Sequence, residues 1–368
     1  MALGAAAGTW GAHIPSLKAS YGLSEASLSL VLLAAGIGTI GSLLLAGRIV
    51  GRFGARAAAG AGALVMSLML GMLLGVPGLA ALVGAALVFG AAASLFDVAI
   101  NTEGSALEAL GGRAVMSNLH GMFSVGGMTG AAVASLLLDA GIAPRVQLFA
   151  VALAIAVVTL GASRGMLETH AGSDDDDGAA KSHFVWPTGV LLAIGLLVFA
   201  GMTAEGVMYD WCVLYLNQEL GMPQASAALG YATFSAAMAL TRFGGDALRA
   251  RHSERKLLRA GALLATVTMA AVLLIAHAWA AMIGFAVVGA GLALVAPILF
   301  NAATRVPGVS RAAAIAAVTS VGYSGFMIGP PLIGSIATAT SLPIALGVVV
   351  LASGLLAYGA RYVPEKPR

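Results

Sequence analysis

Apolar runs of membrane-crossing length follow one another along almost the whole chain, and the basic residues between them fall on one side. When the chain is threaded through a bilayer in twelve passes, all but two of its nineteen Lys and Arg residues lie on the same face, the exceptions being Lys18 and Arg145. Lys and Arg near the ends of spanning segments are held on the cytoplasmic side during insertion. The bias therefore predicts both the number of passes and their direction, with the two termini inside. Composition agrees. Charged residues are 10% of the chain and apolar residues 60%, whereas a soluble domain carries about 25% charged residues. There is too little charge here to coat a water-facing globule.

The net charge of +3 records loop topology and points to no nucleic-acid partner. The single cysteine, Cys212, excludes an internal disulfide and a cysteine-based metal cluster, and no metal or cofactor is expected. The start of the chain is apolar without a basic leader, so it does not read as a cleaved signal peptide.

A spanning helix needs about 20 mostly apolar residues. The expected segments are 1–16, 25–46, 57–75, 79–102, 115–139, 145–163, 187–215, 225–243, 257–276, 279–301, 311–338 and 342–361. The all-α chain divides into an N-terminal half, 1–163, a cytoplasmic linker, 164–186, and a C-terminal half, 187–368. The linker carries Asp174 to Asp177, a self-repelling run that stays solvated. An internal repeat supports two parallel halves. Residues 17–27, LKASYGLSEAS, align with 216–226, LNQELGMPQAS, and the same offset pairs Gly126 and Gly130 with Gly325 and Gly329. An offset one residue larger pairs Asn101 with Asn301. Aligned this way, the first segment is much shorter than the seventh, and further apolar residues upstream of Met1 are expected.

The stretch Gly47-Arg48-Ile49-Val50-Gly51-Arg52-Phe53-Gly54-Ala55-Arg56 resembles the signature of the major facilitator superfamily, G-x-x-x-D-R-x-G-R-R, with Gly51 in place of the aspartate. The second half has Gly245-Asp246-Ala247-Leu248-Arg249-Ala250-Arg251 in the equivalent place. Phe96 to Asn101, Ala296 to Asn301 and Glu205 to Trp211 resemble the fucose-permease-like branch. The resemblance implies twelve helices in two six-helix repeats. Segments 1, 4, 7 and 10 would line a cavity that opens alternately to each side. The loops holding Gly47, Arg48, Arg52, Gly54 and Arg56, and Asp246 and Arg251, would act at the gate. Sugar permeases of that branch use acids in helices 1 and 4; here Asp97 is present in the fourth segment and the first has none.

Charge at bilayer depth costs about 2.5–3.5 kcal/mol on insertion scales, so each buried acid needs a partner or a wet cavity. Asp97 has Asn101 one turn on and His120 at similar depth. This set could bind a polar solute or relay a proton, or Asp97 could brace Arg48, Arg52 or Arg113. Glu205, among Gly201, Thr203 and Gly206, is the leading candidate for proton coupling or solute contact, against a buried acid bonded to a neighbouring helix. Asp210 lies one turn outward, as an interfacial acid or an outer-gate residue. Asn301 follows Pro297, which loosens its helix, and could be a ligand. Trp10, Trp211, Tyr231 and Tyr323 could stack on a solute, or be belt and packing residues; Tyr209 and His13 have the same ambiguity. The Gly126 and Gly325 pairs should bring helices close, and Pro330-Pro331 should kink or break segment 11.

Gly161-Ala162-Ser163-Arg164-Gly165 matches G-x-S-x-G only formally, since it ends a membrane helix rather than a strand. No lysine follows a glycine, so no Walker A sequence is present. An ion gradient or the solute's own gradient must drive any transport. The reading is a monomeric secondary transporter of a small polar solute in the inner membrane, not an enzyme, with a proton as the expected coupling ion. A drug or metabolite efflux pump and a non-transporting sensor or scaffold are the alternatives.

Overall fold

The computed structural model describes residues 1–111, 116–167 and 188–364. The acidic linker run Asp174 to Asp177 and the proposed partner Arg113 lie outside the described residues. So do the side chain of Asp246 and the last four residues of the tail.

Every described segment of regular structure is helical. In chain order these are α1 (Ala2–Ala12), α2 (Ile14–Tyr21), α3 (Glu25–Phe53), α4 (Ala55–Met72), α5 (Gly78–Gly111), α6 (Met116–Asp139) and α7 (Pro144–Ser163). After the linker come α8 (Gly189–Leu214), which runs on into a π turn, Tyr215–Glu219, then α9 (Gln224–Phe243), α10 (Gly245–Arg251) and α11 (Glu254–Ile275). The remainder are α12 (Ala278–Leu292), α13 (Val295–Ala303), α14 (Arg311–Ala339) and α15 (Leu342–Gly359), closed by a 3-10 turn at Ala360–Tyr362. Among the described residues, ten helical stretches are long and apolar enough to cross a membrane. The first expected segment is not one of them, because the helix breaks at His13. The eighth is not either, since α9 carries Thr233, Ser235, Thr241 and Arg242 among its apolar residues.

The helix starts follow from local chemistry. Ser24, Ser253 and Ser310 each accept a hydrogen bond from the backbone N–H three residues on, capping α3, α11 and α14. Glu25 and Glu254 stand in the first turns of α3 and α11, where the helix dipole favours negative charge. Two expected loops prove to be mostly helical. Gly47 and Arg48 belong to the last turns of α3, which ends only at Gly54 with φ +82°, a conformation that side chains disfavour. Gly245 to Arg251 form the short helix α10.

The chain forms two compact units, Met1–Gly178 with Met222–Ala232, and Ala179–Gly221 with Thr233–Arg368. The first turns of α9 thus belong to the first unit. In the first unit α1 packs on α6, α3 on α5, and α4 on α5 and α7. In the second α8 packs on α14, and α11 on α12 and α15. Small residues permit this closeness. A Cβ on Gly126 or Gly130 would collide with the Met1 or Ala5 carbonyl oxygen of α1, and one on Gly325 with the Phe199 carbonyl of α8. Outward faces are apolar, as with Leu44 and Leu274, which are 75% and 85% exposed. Burial ranks the helices: the apolar stretch of α8 is 72% buried, against 28% for α7 and for α11. α8 is therefore an interior helix.

The prolines behave differently from one another. Pro330 and Pro331 do not break segment 11, because α14 runs through both. The two prolines free the Phe326 and Met327 carbonyls, four residues back, and in a helix bundle neighbouring helices can satisfy such groups. Segment 10, by contrast, is interrupted. α12 ends at Leu292 and α13 begins at Val295, with Leu294 at φ −98°, ψ 0°. Pro297 has no N–H to give the Ala293 carbonyl four residues back.

Candidate functional site

In the second unit, Arg242 in the last turn of α9 reaches Glu205 on α8. Its Nη2 lies 3.2 Å from Glu205 Oε1, and the two side chains are only 17% and 12% exposed. Arg242 Nε also donates, at 3.5 Å, to the Ala293 carbonyl. That is the oxygen Pro297 leaves without a backbone donor. One guanidinium thus ties α8, α9 and the interruption in segment 10. Tyr209, one turn from Glu205 on the same helix face, interacts with both the carboxylate and Arg242. It donates to Met238 Sδ at 3.3 Å and meets Phe234 edge-on at 5.2 Å. The geometry holds the Glu205 carboxylate in place against the Arg242 guanidinium.

The first unit holds two further polar groups. Asp97 lies within hydrogen-bonding reach of the Asn101 amide and beside the His120 imidazole. The three residues expected together are therefore together. Of the alternative brace partners, Arg48 and Arg52 are exposed and Arg52 stacks over Phe53, while Arg113 lies outside the described residues. Turning Arg56 away as well, its Nη2 donates to the Arg164 carbonyl at 2.7 Å. The second group surrounds the break at His13, which is fully buried. Gln224 Nε2 donates to Ser16 Oγ at 2.7 Å and to the Ala12 carbonyl at 3.0 Å. Ser16 Oγ lies 3.3 Å from His13 Nδ1. The Gln147 side chain also lies beside the imidazole. Buried Thr9, one turn before His13, has an Oγ1 without a partner in the structure.

Asn301 donates from Nδ2 to Glu254 Oε1 at 2.8 Å. Glu254 also holds Arg249 and Arg305, each at 2.7 Å. Both repeat-related asparagines thus sit on acids, Asn101 on Asp97 and Asn301 on Glu254. Asp210 is part-buried, and among the described residues it has no hydrogen-bond or ion-pair partner. The aromatic candidates are mostly packed rather than open. Trp211 and Tyr231 are buried, and Trp10 stacks on Phe89 at 5.0 Å between centroids. Tyr323 is the exposed one, beside Phe326. Among the described residues, no group of three or more His, Cys, Asp or Glu could hold a metal ion.

Sequence reading missed Arg242 and Glu254 as site residues. Arg242 falls inside the expected segment 225–243 rather than between segments, which was the available signal. Glu254 begins α11 among five basic residues, where an acid has obvious partners.

The model of the Major Facilitator Superfamily matches residues 1–306 and 191–368. An uncharacterised MFS-type transporter of Yersinia pestis is 38% identical over 354 residues, covering 96% of this chain and 91% of its own length. The membrane protein MosC of Rhizobium meliloti is 29% identical over 349 residues, 93% of this chain and 84% of its own. Among solved structures, the nucleoside transporter NupG superposes with a TM-score of 0.74 at 14% identity, over 98% of this chain and 96% of that one. The E. coli fucose:proton symporter FucP gives 0.63 at 16% identity, over 99% and 97%. At these identities the likeness is one of fold, and it does not single out the fucose-permease branch, since the nucleoside transporter scores higher.

Proposed function

The chain belongs to the Major Facilitator Superfamily, and from that premise we propose that it carries a small polar solute across the bacterial inner membrane by proton-coupled alternating access. Membership makes it a multi-pass membrane transporter rather than an enzyme. The finer reading has twelve passes in two parallel six-helix repeats, with both termini cytoplasmic. The packing supports the repeat: α1 on α6, α4 on α5 and α4 on α7 recur as α8 on α14, α11 on α12 and α11 on α15. The charge bias supports the orientation.

The observation that carries proton coupling is the Glu205–Arg242 pair. A charged group inside the membrane is retained against its insertion cost where it has a task. In the present arrangement the pair is neutral as a whole, so the unloaded carrier can reorient without moving net charge. A proton on Glu205 would weaken its hold on Arg242 and free the guanidinium to turn. Asp97, Asn101 and His120 form the polar counterpart in the first unit and are the best candidates for solute contact, with Asp210 as an unpaired acid of the second. Polyhydroxylated solutes suit such amide and carboxylate groups, and the solved relatives of this fold that are named for a nucleoside and for fucose with a proton are in keeping with that class.

The test is a screen of sugars, nucleosides, organic acids and amino acids for thermal stabilisation of the purified protein, followed by uptake of the hits into proteoliposomes. Uptake driven by an imposed inward proton gradient is expected. Specific binding without flux would instead mark a sensor.

A further inference from the structure

We propose that the groove between the end of α9 and α10 is a binding site for an anionic phospholipid, with the phosphate on Arg251 and an acyl chain along the apolar wall. A cavity of about 380 Å³ opens there, lined by Leu240, Thr241, Gly244, Ala247, Leu248 and Arg251. Among the described side chains its lining is apolar apart from Thr241 and Arg251, and Arg251 is the charged one. Leu240, on the membrane helix α9, is 74% exposed, and Leu248 is 37% exposed. Gly244 has no side chain, so the corner between the helices stays open to a chain lying along it.

The cation is the second observation. Its neighbours are committed: Arg249 to Glu254, Arg305 to Glu254 and Arg255 to the Val363 carbonyl. Arg251 is exposed, and among the described side chains it has no acidic partner. A guanidinium presents a planar fork that matches a phosphate with two parallel hydrogen bonds. Basic pockets beside membrane helices are where lipid head groups dock. The exposed Lys256 and Arg259 at the start of α11 add positive field, which favours a head group of net negative charge over a zwitterion, whose ammonium would be repelled. Placing the site in the inner leaflet rests on the orientation proposed above; the site itself does not.

The experiment measures thermal unfolding of the purified full-length protein in detergent, with added phosphatidylglycerol or phosphatidylcholine. Phosphatidylglycerol should raise the melting temperature by several degrees and phosphatidylcholine should not. Arg251→Gln should lose the rise, while Lys256→Gln, which removes an exposed cation outside the groove, should keep most of it. Ala247→Trp, which fills the groove and leaves Arg251 in place, should also lose it, and serves as the test if Arg251→Gln does not fold. A rise that survives both groove variants, that is equal with phosphatidylcholine, or that Lys256→Gln abolishes just as fully would overturn the site. These readouts use neither transport nor sidedness, so a failed transport assay leaves them standing, and their failure leaves the transport reading standing.

Discussion

Neutralising Glu205 should destabilise the protein more than neutralising Arg242, and neutralising both should cost less than Glu205→Gln alone. The contact is 3.2 Å and both side chains are over four-fifths covered. Two unit charges at that separation interact by about 5 kcal/mol at an effective dielectric of 20, part of which offsets their desolvation. Removing one partner of such a pair typically costs ~3–5 kcal/mol, mainly because the other charge is stranded. The two stranded charges are not equivalent. A lone carboxylate can shed its charge by binding a proton, whereas a guanidinium stays charged. Glu205→Gln therefore belongs at the upper end of that range. Arg242→Gln belongs near ~2–3 kcal/mol, including the hydrogen bond lost at the Ala293 carbonyl. The assay is a double-mutant cycle on Glu205→Gln, Arg242→Gln and the double variant, read by chemical or thermal unfolding in detergent. A coupling of at least ~2 kcal/mol is expected. Additivity within about 0.5 kcal/mol, the behaviour of independent sites, would refute the pair.

Three further outcomes follow from the packing and the polar contacts. Gly126→Val should abolish stable expression, because its side chain would drive α6 off the α1 backbone, whereas Gly161→Ala, which meets open space within α7, should be neutral or stabilising by ~0.5–1 kcal/mol; fluorescence-detected size exclusion after heating separates the two. Glu254→Gln should lower stability by about 3 kcal/mol or more, since Arg249, Arg305 and Asn301 all converge on it, and the unfolding midpoint should drop accordingly. Gln224→Ala should cost ~1–3 kcal/mol by stripping Ser16 Oγ and the Ala12 carbonyl of their donor, seen as a lower unfolding midpoint than that of the wild type.

Helix positions were legible because spanning length and hydropathy are local properties, and ten of the expected segments appear as apolar helices. The Asp97, Asn101 and His120 set was also legible, since two members are a turn apart and the third shares their depth. Arg242 was not, for a physical reason. Counting basic residues by side treats each as a loop marker, yet a long side chain in the last turn of a helix can turn inward to an acid on its neighbour. The interruption in segment 10 was half visible. Pro297 announces a loosened helix, but the break falls earlier, at Ala293 and Leu294, where the missing N–H is felt. Pro330 and Pro331 carry the same signal, yet α14 runs through both. Sequence shows where a helix is weakened; packing decides whether it yields.

The central claim is that Glu205, held by Arg242, couples the solute to a proton. The most direct measurement is proton movement in proteoliposomes without an imposed gradient, followed with an internal pH dye as a transported solute is added. The wild type should acidify the lumen in step with solute entry. Glu205→Gln should exchange solute down its gradient with no acidification. Acidification of wild-type size in a folded Glu205→Gln protein would contradict the claim and shift the proton to Asp97 and His120.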